Sequence, residues 1–97
     1  MPFEQGAPMS FTASSIQNNA PDCSGVYGIS NSSEWIFIGE SSNIRAALMG
    51  HLREAGTPLS SRKPKGFSFE ATSPVQRVLR KNQLVRELAP SCVSAQP

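Results

Sequence analysis

Gly25-Val26-Tyr27-Gly28-Ile29-Ser30, Asn31-Ser32-Ser33, Glu34-Trp35-Ile36-Phe37-Ile38-Gly39: the reading of this stretch decides the fold. Two runs rich in β-branched and aromatic residues flank three residues of turn chemistry. That pattern predicts a β-hairpin. The second run is apolar at successive positions, so it has no face to give to water. This predicts a central strand covered on both sides.

Working outward, Ser41 or Ser42 can cap a helix by accepting its first free N–H groups. Ile44, Ala47, Leu48, Leu52 and Ala55 then fall on one stripe at helical spacing. Gly56 suits the left-handed position that ends it. Residues 57–66 read as a loop holding Arg62-Lys63-Pro64-Lys65. Phe67-Ser68-Phe69-Glu70 alternates with period two and predicts a third strand. Ser73-Pro74 places a capping side chain before a proline, which suits a helix start. Val75, Val78, Leu79, Val85 and Leu88 supply its apolar stripe, and Pro90 follows its end. Upstream, residues 11–19 are polar with Phe11 and Ile16 as anchors, and fit a short helix or an edge strand. The order is therefore β-β-α-β-α, an α+β chain. Residues 1–10, with two prolines and a glycine, read as a flexible N-terminal segment. Residues 11–90 read as one domain and 91–97 as a polar tail.

Ninety-seven residues suffice for one domain with a small core. Apolar residues are 38%, too many for a disordered chain. No run of 18 apolar residues exists, which argues against a membrane span. The first twenty residues hold no Lys or Arg and no apolar run, so a cytoplasmic location is expected. Cys23 and Cys92 flank the fold, and reduced thiols are the expectation in that compartment. One histidine and two cysteines make a poor zinc set. Charge is segregated. Residues 1–40 carry four acids and no Lys or Arg, while residues 41–97 carry nine basic and three acidic residues. A net +6 in the second half can mark an anion-binding face, or simply a solvated dipolar surface.

Gly25-Val26-Tyr27, nine residues, then Phe37-Ile38-Gly39, followed by Ser41, Asn43-Ile44, Leu48 and His51, resembles the GIY-YIG family. That family includes the N-terminal nuclease domain of a bacterial excision-repair endonuclease and some homing endonucleases. The resemblance runs from Gly25 to about Pro90. It implies a small three-stranded antiparallel sheet flanked by helices. It also implies hydrolysis of one phosphodiester bond in DNA. In active members a tyrosine hydroxyl orients water, a helical arginine stabilises phosphate charge, and a glutamate holds one divalent metal.

Position by position, the first-motif tyrosine matches Tyr27, and the histidine or tyrosine later in the first helix matches His51. The second-motif tyrosine matches Phe37. The arginine position, eight residues after the second-motif glycine, is Ala47. The metal glutamate falls on Lys81 in Lys81-Asn82-Gln83-Leu84-Val85, with Pro90 in register, and the supporting asparagine falls on Val93. Neighbours do not restore these parts. Arg45 sits about 200° round the helix from Ala47, and Glu87 about 240° from Lys81.

The resemblance with its departures implies a catalytically impaired GIY-YIG-like domain that serves as a nucleic-acid- or protein-binding module. Its cleft candidates are Tyr27, Glu40, Asn43, His51 and Lys81. Lys81 either supplies an anion site or stands solvated and paired with Glu40. Arg62, Lys63 and Lys65 are candidate basic contacts, and Trp35 is expected to pack in the core. No metal site and no cofactor are expected. Mg²⁺ or Mn²⁺ enters only under the alternative of a weak or atypical endonuclease using Tyr27 and His51. A small dimerisation domain is the third reading.

Overall fold

The computed structural model describes residues 8–53 and 63–90. Among these residues, seven elements follow in order: β1 (Met9–Ser10), α1 (Ala13–Asn19), β2 (Gly25–Ser30), β3 (Trp35–Ser41), α2 (Ile44–Arg53), β4 (Gly66–Ala71) and α3 (Arg77–Leu88). The strands form one antiparallel sheet in the order β1-β4-β2-β3.

The α+β class holds, but the sheet has four strands rather than three. The extra strand is Met9–Ser10, paired to Phe67 and Gly66. It falls in the stretch read as an N-terminal segment, and two residues carry too little periodicity to announce a strand. The next stretch resolves as a helix. Thr12 caps it through Oγ1, which accepts from the Ser15 N–H at 3.3 Å. Phe11 and Ile16 are both buried, as expected of anchors.

The hairpin forms as read. Asn31 Oδ1 accepts from the N–H groups of Ser33 (2.8 Å) and Glu34 (2.9 Å), closing the turn. The placement of β3 differs from expectation. It is covered on both faces, yet it lies at the sheet edge, and β2 is a central strand. Packing by α2 on one face and α3 on the other accounts for the apolar run without a second strand neighbour. A bulge at the Ile29–Ser30 step leaves Ile36 without a register partner. Ile36 and Phe37 therefore both enter the core on the α2 side.

That core joins Phe11, Ile16 and Ala20 to Tyr27, Ile29, Phe37 and Phe67 of the sheet and to Ile44 and Leu48 of α2. The second core is smaller: Val26, Ile38 and Leu84, with Trp35, Val85 and Leu88 packed against them. Trp35 thus joins a core, as read.

Helix α2 is capped by Asn43, not by Ser41 or Ser42. Asn43 Oδ1 accepts from the Ala46 N–H at 3.0 Å, and Ser41 Oγ accepts from the Asn43 N–H at 3.0 Å. The residue next to the helix takes the cap because β3 runs on through Ser41. Ser73 does act at the start of the last helical region. Its Oγ accepts from the Gln76 N–H at 3.3 Å, across a turn that leads into Arg77.

The apolar stripe read for α3 is the main correction. Val75, Val78 and Leu79 are 83%, 49% and 67% exposed, while Leu84 is fully buried. Leu79 and Leu84 lie about 140° apart on a helix, so both cannot face the sheet. Two ion pairs decide which does. In register across the sheet, Glu40, Val26 and Glu70 form one row facing α3. Arg77 Nε reaches Glu40 Oε1 at 2.6 Å, and Arg80 Nε and Nη2 reach the two Glu70 oxygens at 2.9 and 3.0 Å. Both carboxylates are half-buried, so turning the helix to bury Leu79 would strand them. Ala55, Gly56, Arg62, Cys92 and Val93 lie outside the described residues, as do residues 1–7 and the rest of 91–97.

Candidate functional site

The site begins with two glycines. Tyr27 of β2 is in register with Gly39 of β3. A Cβ at Gly39 would stand 2.6 Å from the Tyr27 hydroxyl and 2.8 Å from Phe37 Cε2. The tyrosine ring therefore lies across β3 only because position 39 has no side chain. A Cβ at Gly25 would likewise meet Ile44 Cδ1 at 2.6 Å. That bare position lets α2 sit close to the sheet.

Ile44, Leu48 and His51 follow at i, i+4 and i+7, and all three are buried. The first two anchor α2 in the core. The third thereby arrives at the sheet, where His51 Nε2 and the Tyr27 hydroxyl share a hydrogen bond of 2.8 Å. Tyr27 is 3% exposed and His51 9%. Phe37 completes a triangle, with ring centroids 6.1 Å from Tyr27 and 5.2 Å from His51. It supplies packing but no third polar group.

Above this triangle opens a cleft of about 430 Å³. Tyr27, Glu40, Ser41, Ala47, Gly50 and His51 line it, together with Ala46. Beside His51, the described α2 residues lining the cleft are the small Ala46, Ala47 and Gly50, so no lysine or arginine enters from them. Arg45 is turned away and donates through Nε to the Ala20 carbonyl at 2.9 Å. Glu40 borders the cleft, but its carboxylate belongs to the row facing α3 and is held there by Arg77, whose Nη1 also donates to Ser24 Oγ at 3.1 Å.

Of the five cleft candidates, Tyr27, Glu40 and His51 line this cleft. Asn43 and Lys81 do not line it. Asn43 commits its side-chain oxygen to the helix cap. Lys81 is half-buried on α3 and makes no ion pair with a described residue, so the expected Lys81–Glu40 pair is replaced by Arg77–Glu40. Lys63 and Lys65 lie ahead of β4, away from the cleft. Sequence reasoning missed Ser41, Ala46 and Gly50 as lining, and it missed Arg77. Nothing local pairs residues 37 positions apart. Register across the sheet does it.

No protein-family model matches this sequence, and no curated protein matches it. Solved structures do. The magnesium-bound N-terminal endonuclease domain of UvrC from Thermotoga maritima matches with a TM-score of 0.65 at 17% identity, over 78% of this chain and 92% of that one. An asparagine-to-alanine variant of the same domain matches with a TM-score of 0.66 at 17% identity, over 81% and 96%. The fold is GIY-YIG-like. Tyrosine-to-phenylalanine variants of the same UvrC domain also match, at three different positions. Those three tyrosines are spaced by ten and then fourteen residues, the same spacing as Tyr27, Phe37 and His51 here. The GIY-YIG-like triangle of this chain thus presents one tyrosine, one phenylalanine and one histidine.

Those UvrC structures hold a catalytic divalent cation. The Glu40 carboxylate is engaged by the Arg77 guanidinium at 2.6 Å. Among the described residues, no three His, Cys, Asp or Glu side chains converge. A cation would have to displace Arg77 to reach Glu40. What the cleft offers by itself is the hydroxyl–imidazole pair, because the Ser41 hydroxyl is engaged by the Asn43 backbone and the Glu40 carboxylate by Arg77. That pair can donate and accept hydrogen bonds to a polar group, at the foot of a wall that a flat ring could rest on.

Proposed function

We propose that this chain is a GIY-YIG-like binding module, with nucleic acid as its ligand, that does not hydrolyse phosphodiesters by the metal-dependent route. The cleft built on the Tyr27–His51 hydrogen bond carries the reading. It keeps the polar pair at the foot of the site, but its α2 wall presents Ala47 where the family resemblance expects an arginine. Losing one transition-state donor costs about 10²–10³ in rate. Lys81 stands at the position matched to the metal glutamate, so that match supplies no carboxylate for a dication. Binding asks less than cleavage. A hydroxyl and an imidazole can hold a phosphate oxygen or a base edge through hydrogen bonds without moving a proton. A cytoplasmic location is consistent with this reading, and no described helix is long and apolar enough to cross a membrane.

The test is incubation of the full chain with single- and double-stranded DNA, with Mg²⁺, with Mn²⁺ and with chelator. Cleavage and gel retardation are read at two salt concentrations. Salt-sensitive retardation without cuts is the expected result, because backbone binding weakens steeply with salt. Cuts that vanish with chelator, and vanish again in Tyr27→Phe, would establish the weak-endonuclease alternative instead.

A second reading has its own observation. Val75, just before α3, and Val78 and Leu79 on it are three large apolar residues exposed to water. Contiguous exposed apolar surface marks protein contacts. Binding that persists at high salt would favour a protein partner on this helix.

A further inference from the structure

A second pocket lies at the turn end of β2, three residues or about 10 Å along the strand from Tyr27. Its volume is about 250 Å³, and Met9, Ser10, Ser30, Asn31, Ser32 and Lys65 line it. Its lining side chains include three hydroxyls, an amide and an ammonium, and no carboxylate. This is the opposite of the Tyr27 cleft, where a glutamate stands in the wall.

The pocket is rigidly built. The Lys65 N–H donates to the Ser30 carbonyl at 2.8 Å, and the Lys65 carbonyl accepts from the Phe11 N–H at 2.8 Å. The lysine backbone is thus pinned between the two strand ends. Ser30 is buried at the base of the pocket, and the Asn31 turn is closed by its own side chain. Lys63 holds φ at 57°, a left-handed conformation that residues with a β-carbon adopt only when the surroundings impose it. The cations of α3 that face the sheet are spent otherwise, Arg77 on Glu40 and Arg80 on Glu70. Lys63 and Lys65 are exposed and pair with no described carboxylate.

We propose that this pocket is a phosphate-binding subsite. Lys65 supplies the charge, and the hydroxyls of Ser10, Ser30 and Ser32 supply hydrogen bonds. Its natural occupant is a backbone phosphate of nucleic acid. That source rests on the function proposed above, whereas the phosphate chemistry does not.

The test uses the full ¹⁵N-labelled chain, titrated separately with inorganic phosphate and with a short single-stranded oligonucleotide lacking a terminal phosphate. The oligonucleotide is expected to shift the backbone amides of Ser10, Ser30, Ser32 and Lys65. Lys65→Gln, with its thermal midpoint unchanged, is expected to weaken oligonucleotide binding about 5- to 10-fold at 0.1 M salt and to lower the salt slope by about 0.7. Tyr27→Phe is expected to leave the phosphate-induced shifts in place, which separates failure of this subsite from failure of the cleft. Shifts with phosphate but not with the oligonucleotide would support the subsite and assign it to free phosphate or phosphomonoesters. Silence of these amides in both titrations, or full-strength binding in Lys65→Gln, would overturn it.

Discussion

Gly39 bears more of this site than any residue with a side chain. Its missing Cβ is what lets Tyr27 lie over β3 and meet His51. Gly39→Ala is expected to cost about 1–3 kcal/mol through forced overpacking. It should also break the 2.8 Å Tyr27–His51 bond, seen as a shift of the His51 ring resonances alongside a lower denaturation midpoint. Gly50 is the contrary case. A Cβ there meets nothing within 4 Å, and the position is inside α2. Gly50→Ala is expected to raise stability by about 0.5–1 kcal/mol in a urea titration, because alanine loses less backbone freedom on forming a helix. Ser68 adds a third residue-scale case. It is fully buried in β4, and its hydroxyl has no hydrogen-bond partner among the described residues. Ser68→Ala is expected to stabilise the fold by about 1 kcal/mol, since it removes a buried polar group that nothing satisfies. A thermal melt of that variant checks the sign.

Helix α3 shows how an element can be recognised and still be turned the wrong way. Apolar residues on it outnumber those the sheet can cover. The orientation that wins buries Leu84 and lays Arg77 and Arg80 against Glu40 and Glu70. The ion pairs are partly exposed, so each is worth at most about 1 kcal/mol net. Their role is to select between two faces of similar apolar content. Leu84→Ala is therefore expected to cost about 2–5 kcal/mol. Leu79→Ala is expected to stay within about 0.5 kcal/mol, as for a surface position. Thermal melts of both variants check this, and equal losses would contradict the orientation. Helix α2 behaves differently. Its buried positions Ile44 and Leu48 were legible as a stripe, and His51 was legible only through its place one turn further on.

Across the whole molecule, the two ends of β2 carry different chemistry. The Tyr27 end has a neutralised glutamate and the hydroxyl–imidazole pair. The Asn31 end has serines and a lysine. The +6 of the second half is thus not a uniform basic face, because its Arg77 and Arg80 are consumed in holding α3 to the sheet. Binding to nucleic acid is accordingly expected to weaken about 10-fold or less between 0.1 and 0.2 M salt, matching a few phosphate contacts rather than the many of a dedicated DNA-binding surface. Retardation measured across that salt range checks it.

The sequence by itself determined the hairpin, the first long helix and the third strand, while the match of Tyr27, Phe37 and His51 came from the resemblance to a known family. These are local matters: turn chemistry, a period of two or 3.6 residues, and fixed spacings along the chain. The tertiary structure alone decided the fourth strand, the edge position of β3, the side of α3 that faces the sheet, and the identity of the cation on Glu40. Each depends on which residues meet across the sheet. Met9 pairs with Phe67, and Arg77 with a carboxylate 37 residues away. Chain-local periodicity carries no information about such partners, because they are chosen by the free energy of covering a face and satisfying its buried charges together.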